Sequence, residues 1–276
     1  MNILGIDFEE WFHPQLIQNI VKNEQKSFRV VRGIDKILNF LSKHDTFATF
    51  FVVGEIIQRY PEILDKIISN GHEIACHSMN HSRLDSLNSQ QFSYELLEFA
   101  KLTENRSKGF RAPTFSLNDK SSWAIDVLEK FHYLYDSSIV PAKSSLYGNP
   151  NASVEPYKIS SKSLYGNDEN GKIIEFPLMV TKLFGKRFPA GGGFFLRTLP
   201  FSITKKAIKE YEKMKIPSTF YIHSWELTPE HMPRIKLPRK AGFVTYHNLE
   251  SVMNRMDELL SHFQFTSFER YIQKNI

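Results

Sequence analysis

Apolar, strand-like runs alternate along the chain with segments of helical periodicity, and this alternation limits the possible folds more than any other feature. The run NILGID precedes a helical pattern over about 28–43, which is followed by the apolar run TFATFFVV. Pro61 opens the next helical pattern and Gly71 ends it, as is typical of helix termini, and HEIACH follows as a third strand. Such alternation favours a parallel sheet with helices packed outside it.

Four further apolar runs predict the remaining strands: GFRA, YLYD, IIEF and TFYIH. Further helices are predicted at about 89–105, 118–130, 201–214 and 247–262. About seven strands therefore alternate with helices, and runs that are apolar on both faces suit a closed barrel or a doubly wound sheet. In either architecture the functional residues gather at the carboxyl ends of the strands.

One irregular segment interrupts the alternation. Residues 138–172 are rich in Ser, Pro, Gly, Asn and Lys, and they contain SLYGN twice, at 145 and at 163. We predict a long surface excursion there; the repeat indicates either two similar turns or chance. Because α/β barrels of this length commonly form one unit, we expect a single domain over residues 1–276.

Net charge, cysteine count and the pattern of apolar residues limit the binding partners and the cellular compartment that we expect. The formal charge of +5 and the pI near 9.1 mildly favour anionic ligands, but no sustained basic block argues for nucleic acid. The single cysteine, Cys76, excludes an intramolecular disulfide and suits a reducing compartment. The first residues lack a signal-peptide pattern, and FATFFVVG is too short to span a bilayer. We expect a cytoplasmic protein without a transmembrane segment; the sequence predicts no oligomeric state.

Three acids stand close together where the first predicted strand ends. In LGIDFEE, Asp7, Glu9 and Glu10 fall within four positions. Like charges oppose joint ionisation, so the cluster is costly unless a cation, an arginine or solvent offsets it. Strand alternation sends Asp7 and Glu9 to one side and Glu10 to the other. A functional site and an exposed strand end both fit this pattern.

The segment HSMNH follows the third predicted strand and carries two histidines four residues apart. One helical turn would bring His77 and His81 to the same side, a spacing that suits a divalent metal. Two unrelated histidines also occur at this spacing by chance. A metal held by two histidines and one carboxylate keeps open positions for water and substrate, and the first strand offers such a carboxylate.

Two other strand ends carry chemistry-bearing residues. GFRAPTFS places Arg111 at a strand end, where Pro113 fixes the loop and the guanidinium can pair with a carboxylate. TFYIHSWEL places His223 at another strand end and is followed by Trp225, a ring for sugar stacking or core packing. A solvent-facing arginine and an isolated histidine are the ordinary alternatives.

In order and spacing, these motifs resemble those of the polysaccharide deacetylases of carbohydrate esterase family 4, the NodB homology domain. IDFEE resembles the acidic strand motif, His77 to His81 the H-S/T-x-x-H motif, Arg111 to Pro113 the R-x-P motif, and FYIH the final strand. YDSS, PAGGGFFLR and FYIHSWEL further resemble a subgroup near the allantoinases that is associated with exopolysaccharide and O-antigen loci. The resemblance covers nearly the whole chain and implies an α/β fold, a distorted, NodB-like (β/α)7-type barrel.

The resemblance implies a metal-dependent hydrolase. Its reaction would remove N-acetyl groups from an N-acetylated sugar in a polysaccharide or in a nucleotide-linked or lipid-linked precursor. The implied metal is divalent, with zinc preferred and cobalt, nickel or manganese as alternatives. Asp7 would be the base, Arg111 would orient it, and His223 would protonate the departing amine.

Other residues are assigned by the same resemblance. His77 and His81 would bind the metal together with Glu9 or Glu10. The expected substrate-binding residues are Pro113, Thr114, Asp136 and Trp225. Thr114 replaces the family's tyrosine, but its expected role, a backbone N–H for the oxyanion, does not depend on the side chain. Asp136 in YDSS is expected to support a histidine.

The acidic motif departs from the family pattern because the usual adjacent Asp pair is absent. An acid-x-acid register makes Asp7 the base and Glu9 the ligand, whereas an adjacent register makes Glu9 the base and Glu10 the ligand; strand alternation favours the first. The Glu pair also leaves metal-free hydrolysis of a cyclic amide open, as in allantoinase-like relatives. A carbohydrate-binding protein without catalysis is a third alternative, against which the two metal-motif histidines, Arg111 and His223 argue.

Overall fold

The computed structural model describes residues 1–144 and 146–276, so Ser145 of the first SLYGN lies outside the described residues. The strands are β1 Asn2–Phe8, β2 Thr49–Val52, β3 Glu73–Cys76, β4 Gly109–Phe110, β5 Tyr135–Asp136, β6 Tyr157–Ile159, β7 Ile173–Glu175, β8 Val180–Leu183, β9 Lys186–Pro189, β10 Thr219–His223 and β11 Phe265–Thr266. The helices are α1 Gln15–Gln18, α2 Ile34–Lys43, α3 Gly54–Arg59, α4 Glu62–Ser69, α5 Ser89–Leu102, α6 Trp123–Lys130, α7 Gly193–Thr198, α8 Phe201–Met214, α9 Ser224–Leu227, α10 Arg239–Tyr246, α11 Val252–His262 and α12 Phe268–Asn275.

The main sheet has the order β10-β1-β2-β3-β4-β5-β7-β6, and β11 also pairs with β1. Every pairing in it is parallel except that of β6 with β7. All seven predicted strands lie in this sheet, and the predicted helices follow them. The predicted α/β class is confirmed.

The sheet is curled rather than flat. Phe51 of β2 and Tyr135 of β5 are separated by two intervening strands, yet their ring centroids lie 6.5 Å apart. Flat strands spaced at about 4.8 Å would hold them roughly 14 Å apart. Isolated parallel bridges from Leu178 to Thr219 and from Gly192 to Tyr221 bring the chain after β7 back to the free edge of β10. The predicted NodB-like barrel is thereby confirmed.

Aromatic rings fill the amino-terminal end of the barrel. Phe268, the first residue of α12, stacks on Tyr135 with centroids 4.9 Å apart, and it also packs edge-on against Phe51 and Phe176. Burial of each such ring contributes about 1.5–3 kcal/mol relative to exposure. Because these rings close the amino-terminal end of the barrel, the carboxyl ends of the strands form its accessible face.

Several elements differ from the sequence prediction. Three predicted helices start late because a 3-10 turn takes their first residues, at Val30–Gly33, Asp119–Ser121 and Leu249–Ser251. The predicted excursion at 138–172 is buried over 138–142, and its β6 extends the sheet. The proline-rich segment PEHMPRIKLPRK, for which no helix was predicted, begins with a 3-10 turn at Pro229–His231 and ends inside α10.

None of the helices described in residues 1–144 and 146–276 combines the length and apolarity needed to cross a bilayer. The compartment in which the chain resides stays a prediction.

Candidate metal and catalytic site

One cleft lies at the carboxyl ends of the strands, and seven of the predicted site residues line it: Asp7, Glu9, His77, His81, Thr114, His223 and Trp225. They come from four separate parts of the chain, which the parallel sheet brings together. Asp7 on β1 and His223 on β10 are register partners, so their side chains emerge next to each other. Directly after β1, the Ser224 hydroxyl fixes the backbone by donating to the Glu9 carbonyl at 2.9 Å.

Glu9, His77 and His81 form a compact group of potential ligands. One donor atom from each lies within 4.8 Å of the other two, and all three residues are buried. The Nε2 atom of His81 is 2.7 Å from a Glu9 carboxylate oxygen. Two imidazoles and one carboxylate are a ligand set that suits zinc and other first-row divalent ions.

The contacts around His77 and Glu9 favour the neutral imidazole and the ionised carboxylate that bind a metal. The Nδ1 atom of His77 donates to the Arg111 carbonyl at 2.8 Å, so Nε2 is the atom that faces the cleft. Burial lowers the pKa of His77 to about 4, which keeps the ring neutral. Burial acts to raise the pKa of Glu9, but the neighbouring His81, His223 and His77 lower it below its usual range. The residues therefore fit a divalent metal.

The sequence predicted that one helical turn would bring His77 and His81 together, but the structure has no helix between them. Residues 77–83 are irregular, and Ser78 and His81 have φ values of 61° and 54°. Left-handed backbone is uncommon for such residues and concentrates at functional sites. The left-handed backbone at these two positions turns the His81 ring toward Glu9.

Asp7 and Arg111 form a buried ion pair beside the group of ligands. The Nη1 atom of Arg111 donates to Asp7 Oδ1 at 2.6 Å. Its Nε and Nη2 atoms donate to the carbonyl and hydroxyl oxygens of Ser137 at 3.0 and 3.1 Å. The guanidinium carbon lies 3.9 Å from the centre of the Phe51 ring. Arg111 is fully buried and does not line the cleft; its guanidinium holds the Asp7 carboxylate and its carbonyl accepts from His77.

His223 is held by two residues that the sequence analysis did not single out. Its Nδ1 atom lies 2.7 Å from Glu226 Oε2, and Arg197 Nε donates to the other oxygen of Glu226 at 2.7 Å. Burial acts to lower the pKa of His223, but attraction to Glu226, with Glu9 and Asp7 further away, raises it to about 9. His223 is therefore protonated at neutral pH. Glu226 stands three residues after His223 in FYIHSWEL, and Arg197 is the last residue of PAGGGFFLR, so both lie in segments that carry the resemblance although neither was assigned a role.

Trp225 contributes to the site differently than expected. Its ring is 7% exposed and stacks on His223 with centroids 4.8 Å apart. Its Nε1 atom donates to Glu9 Oε1 at 3.0 Å. The side chain therefore orients the Glu9 carboxylate and the His223 ring, and only part of it faces the cleft.

Glu10, Pro113 and Asp136 are not brought to the cleft wall. Glu10 Oε1 accepts from the backbone N–H groups of Arg29 and Val30 at 2.6 and 2.8 Å, on the opposite side of β1 from Glu9. Burial raises the pKa of Glu10 to about 7.

Pro113 starts the 3-10 turn Pro113–Phe115, in which Thr114 has a φ of 54° and lines the cleft. Asp136 accepts from the Ser138 hydroxyl at 2.7 Å, and Ser138 in turn accepts from the Ala112 N–H at 2.8 Å. The Asp136 carboxylate thus supports the loop that carries Arg111 rather than a histidine.

The remaining cleft wall is largely apolar and aromatic. Phe115 packs against both Tyr147 and Tyr221, with ring centroids 5.2 and 5.0 Å apart. Tyr147 belongs to the first SLYGN, and Phe194 of α7 extends the same wall. Aromatic faces beside a few polar groups are typical of pockets for small, partly apolar ligands such as sugars.

Two family models match the chain and meet near its middle. Residues 28–133 match the polysaccharide deacetylase model, and residues 137–273 match a domain of unknown function, DUF3473. The candidate ligands His77 and His81 lie in the first match and His223 lies in the second, whereas Asp7 and Glu9 precede both. The sheet crosses the boundary, since β1 pairs with β10.

Curated relatives and solved structures agree with these matches. The peptidoglycan-N-acetylglucosamine deacetylase of Bacillus cereus is 34% identical over 80 residues, 29% of this chain and 28% of the relative. The chitooligosaccharide deacetylase of Sinorhizobium fredii is 29% identical over 97 residues, 34% of this chain and 43% of the relative. The alignments thus span well under half of these relatives.

Structural neighbours extend the likeness to the whole fold. A Mycobacterium smegmatis protein assigned to the polysaccharide deacetylases superposes with a TM-score of 0.63 at 15% identity, covering 99% of this chain and 90% of that one. Puue allantoinase superposes with a TM-score of 0.53 at 16% identity, covering 96% and 84%. At these identities the likeness concerns the fold alone. The polysaccharide deacetylase model and the curated deacetylases thus resemble part of the chain, and the structural neighbours extend the likeness of fold to nearly its whole length.

Proposed function

We propose that this chain is a metal-dependent hydrolase that removes the N-acetyl group from an N-acetylated sugar in a polysaccharide or its nucleotide-linked or lipid-linked precursor. One observation carries the proposal: Asp7, held by Arg111, and His223, held by Glu226, lie in one cleft with the Glu9, His77 and His81 group. A base, an acid and a metal-ligand set are the three parts that metal-assisted amide hydrolysis uses.

The two sides of the cleft suit opposite proton transfers. Asp7, an ion pair with Arg111, is the carboxylate that removes the proton from the attacking water. His223, protonated at neutral pH, donates its proton to the departing amine. Since Asp7 and His223 are register partners on adjacent strands, both reach the same scissile amide. The products are acetate and a free amino sugar.

Glu9, His77 and His81 are the residues that we propose hold the metal. A bound divalent ion, with zinc the first candidate, supplies Lewis acidity to water and to the amide carbonyl. Glu9 is chosen over Glu10 because its carboxylate points to the two histidines, whereas that of Glu10 is engaged by backbone N–H groups. We further propose that Thr114 supplies its backbone N–H to the oxyanion and that residues 1–276 fold as one domain.

The allantoinase-like alternative is weakened by the same placement. It was favoured by adjacent glutamates acting together, but Glu9 and Glu10 lie on opposite sides of β1. The binding-protein alternative is weakened by the buried contacts that hold both the base and the acid. These contacts orient catalytic groups more closely than binding alone requires.

The test combines metal analysis with product analysis. Protein purified without chelators is expected to hold about one divalent ion per chain and to release acetate from N-acetylated oligosaccharides. His77→Ala should lose both the ion and turnover. Asp7→Asn should keep the ion and lose roughly 10²–10⁴-fold in kcat. Full turnover in Asp7→Asn, or ring opening of a cyclic amide without acetate release, would contradict the proposal.

A further inference from the structure

A two-stranded hairpin projects from the barrel and carries an aromatic ring at its tip. Strands β8 and β9 pair from Val180 with Pro189 to Leu183 with Lys186, and Phe184 and Gly185 form the turn. The Phe184 side chain is fully exposed, more than any other large apolar side chain in the described part of the chain. No fold contact therefore accounts for this ring.

The backbone at the tip makes the choice of phenylalanine more unusual. Phe184 has a φ of 51° and Gly185 a φ of 76°, so both central residues are left-handed, as in a type I′ turn. Asn and Gly are the residues that such a turn prefers, whereas a bulky side chain there is an outlier. At the tip, an apolar ring is exposed to water and a bulky residue has left-handed backbone, and both are unfavourable. This indicates that Phe184 makes a contact outside the chain.

The charges of the hairpin indicate what that contact is. The segment VTKLFGKRFP contains Lys182, Lys186 and Arg187 and no acidic residue. Lys182 and Arg187 are register partners, an arrangement in which like charges destabilise a hairpin. Within residues 1–144 and 146–276, none of the three forms an ion pair, and Arg187 donates instead to backbone carbonyls of 150 and 152.

We propose that this hairpin binds the surface of an anionic lipid bilayer. Phe184 enters the interfacial layer, which aromatic rings favour, and the three cations contact the lipid phosphates. Phe188, 38% exposed on β9, provides a second exposed ring on the same hairpin. Charge complementarity selects this occupant, because a cationic surface that lacks acids matches phosphate and an exposed ring matches acyl chains. This inference goes beyond the proposed hydrolysis and uses none of its residues.

The hairpin is joined closely to the cleft. It leaves the barrel after Met179 and returns at Ala190, whose N–H donates to the Met179 carbonyl at 3.0 Å. Four residues after Ala190 the chain reaches Phe194, which lines the cleft. Between them Gly192 bridges to Tyr221 of β10, where an added Cβ would lie 1.7 Å from the Tyr221 carbonyl oxygen. A bilayer bound at the hairpin is therefore linked to the cleft by a short, tightly packed segment.

Flotation with lipid vesicles tests the proposal on the full chain. Two compositions are compared: phosphatidylcholine alone, and phosphatidylcholine mixed with phosphatidylglycerol. The wild-type chain should float with the anionic vesicles and not with the neutral ones. Phe184→Asn, which suits the left-handed turn and so keeps the hairpin, should weaken binding about tenfold, as expected for one large apolar side chain.

A charge variant and a matched control separate the hairpin from the net charge. Lys182→Gln with Lys186→Gln should weaken binding about fivefold per cation, corresponding to about 1 kcal/mol each. Lys209→Gln with Lys213→Gln removes the same charge from two exposed positions of α8 and should leave binding unchanged. Equal loss in both double variants, unchanged binding of Phe184→Asn, or no wild-type binding to anionic vesicles would overturn the proposal. Acetate release from a soluble oligosaccharide, measured in parallel, reports on the proposed function separately.

Discussion

Glu226 binds His223 twice: its Oε2 atom lies 2.7 Å from the imidazole Nδ1 and accepts the His223 backbone N–H at 3.1 Å. The other carboxylate oxygen accepts from Arg197. The contacts from Arg197 to Glu226 and from Glu226 to His223 fix the orientation of the imidazole and favour its charged form.

Replacing Glu226 should shift the pH dependence of turnover. Glu226, Glu9 and Asp7 raise the pKa of His223 to about 9 against the effect of burial. A histidine with a raised pKa stays protonated until the pH passes that value, so wild-type activity should fall on the alkaline side near pH 9. In Glu226→Gln the alkaline limb should move toward the ordinary histidine pKa of about 6.5, with kcat at pH 8 lower by about tenfold or more.

The measurement for Glu226 is the pH profile of kcat, taken with thermal unfolding of both proteins. A purely structural role would lower the yield of folded protein at all pH values and leave the alkaline limb in place. That outcome would contradict the positioning role.

Glu9→Gln and Glu10→Gln form a matched pair that decides the ligand. Glu9→Gln should lower metal affinity by more than the 10 to 100-fold typical of a residue outside the ligand set. Glu10→Gln keeps an oxygen acceptor for the Arg29 and Val30 N–H groups, so metal content and kcat should match the wild type. Calorimetric titration of each apoprotein with zinc measures the metal affinity of both variants. Metal loss confined to Glu10→Gln would reverse the assignment.

Gly5→Ala should disturb the base through Arg111. A Cβ at Gly5 would lie 2.7 and 2.9 Å from the two terminal guanidinium nitrogens and 2.9 Å from the Phe51 ring. Since Asp7 and Ser137 hold the guanidinium in place, it has no free position to move to. We expect a loss of about 1–3 kcal/mol in the free energy of unfolding. kcat should fall further than the folded fraction does, and wild-type kcat in the folded protein would argue against the positioning role of Arg111.

Glu175→Gln should stabilise the protein at alkaline pH. Glu175 and Asp136 are buried register partners on β7 and β5, with Arg111 and Tyr157 the other ionisable groups nearby. Burial and the Asp136 charge raise the pKa of Glu175 well above its usual range. A carboxyl group with a raised folded pKa binds its proton more tightly when folded, so stability falls as the pH rises above the unfolded value.

Glutamine keeps the acceptor for the Ile139 N–H and donates to Asp136 without carrying a charge. Relative to the wild type, the variant should gain roughly 1–3 kcal/mol above pH 8. Chemical denaturation across the pH range measures the difference. A constant difference at all pH values would show that the pair does not share a proton.

The sequence by itself determined the order and type of the elements and the composition of the site. The seven predicted strand positions followed from apolar runs, because a strand buried on both faces leaves a continuous hydrophobic signature, whereas β6, β8, β9 and β11 were not predicted. Asp7, Glu9, His77, His81 and His223 could be singled out because each stands at a strand end, and parallel strands carry their carboxyl ends to one edge. Of the two adjacent glutamates Glu9 lines the cleft and Glu10 does not, and the choice of Glu9 as the metal ligand stays a prediction.

Only the tertiary structure decided which groups support these residues and where the chain deviates from regular patterns. The pairing of Glu226 with Arg197 joins α9 to α7 across 29 positions, a contact that no local periodicity encodes. The left-handed backbone at Ser78 and His81 is imposed by packing around the site rather than by residue preference. The exposed Phe184 likewise becomes evident only when the folded chain shows that nothing covers it, because burial is a property of the whole structure.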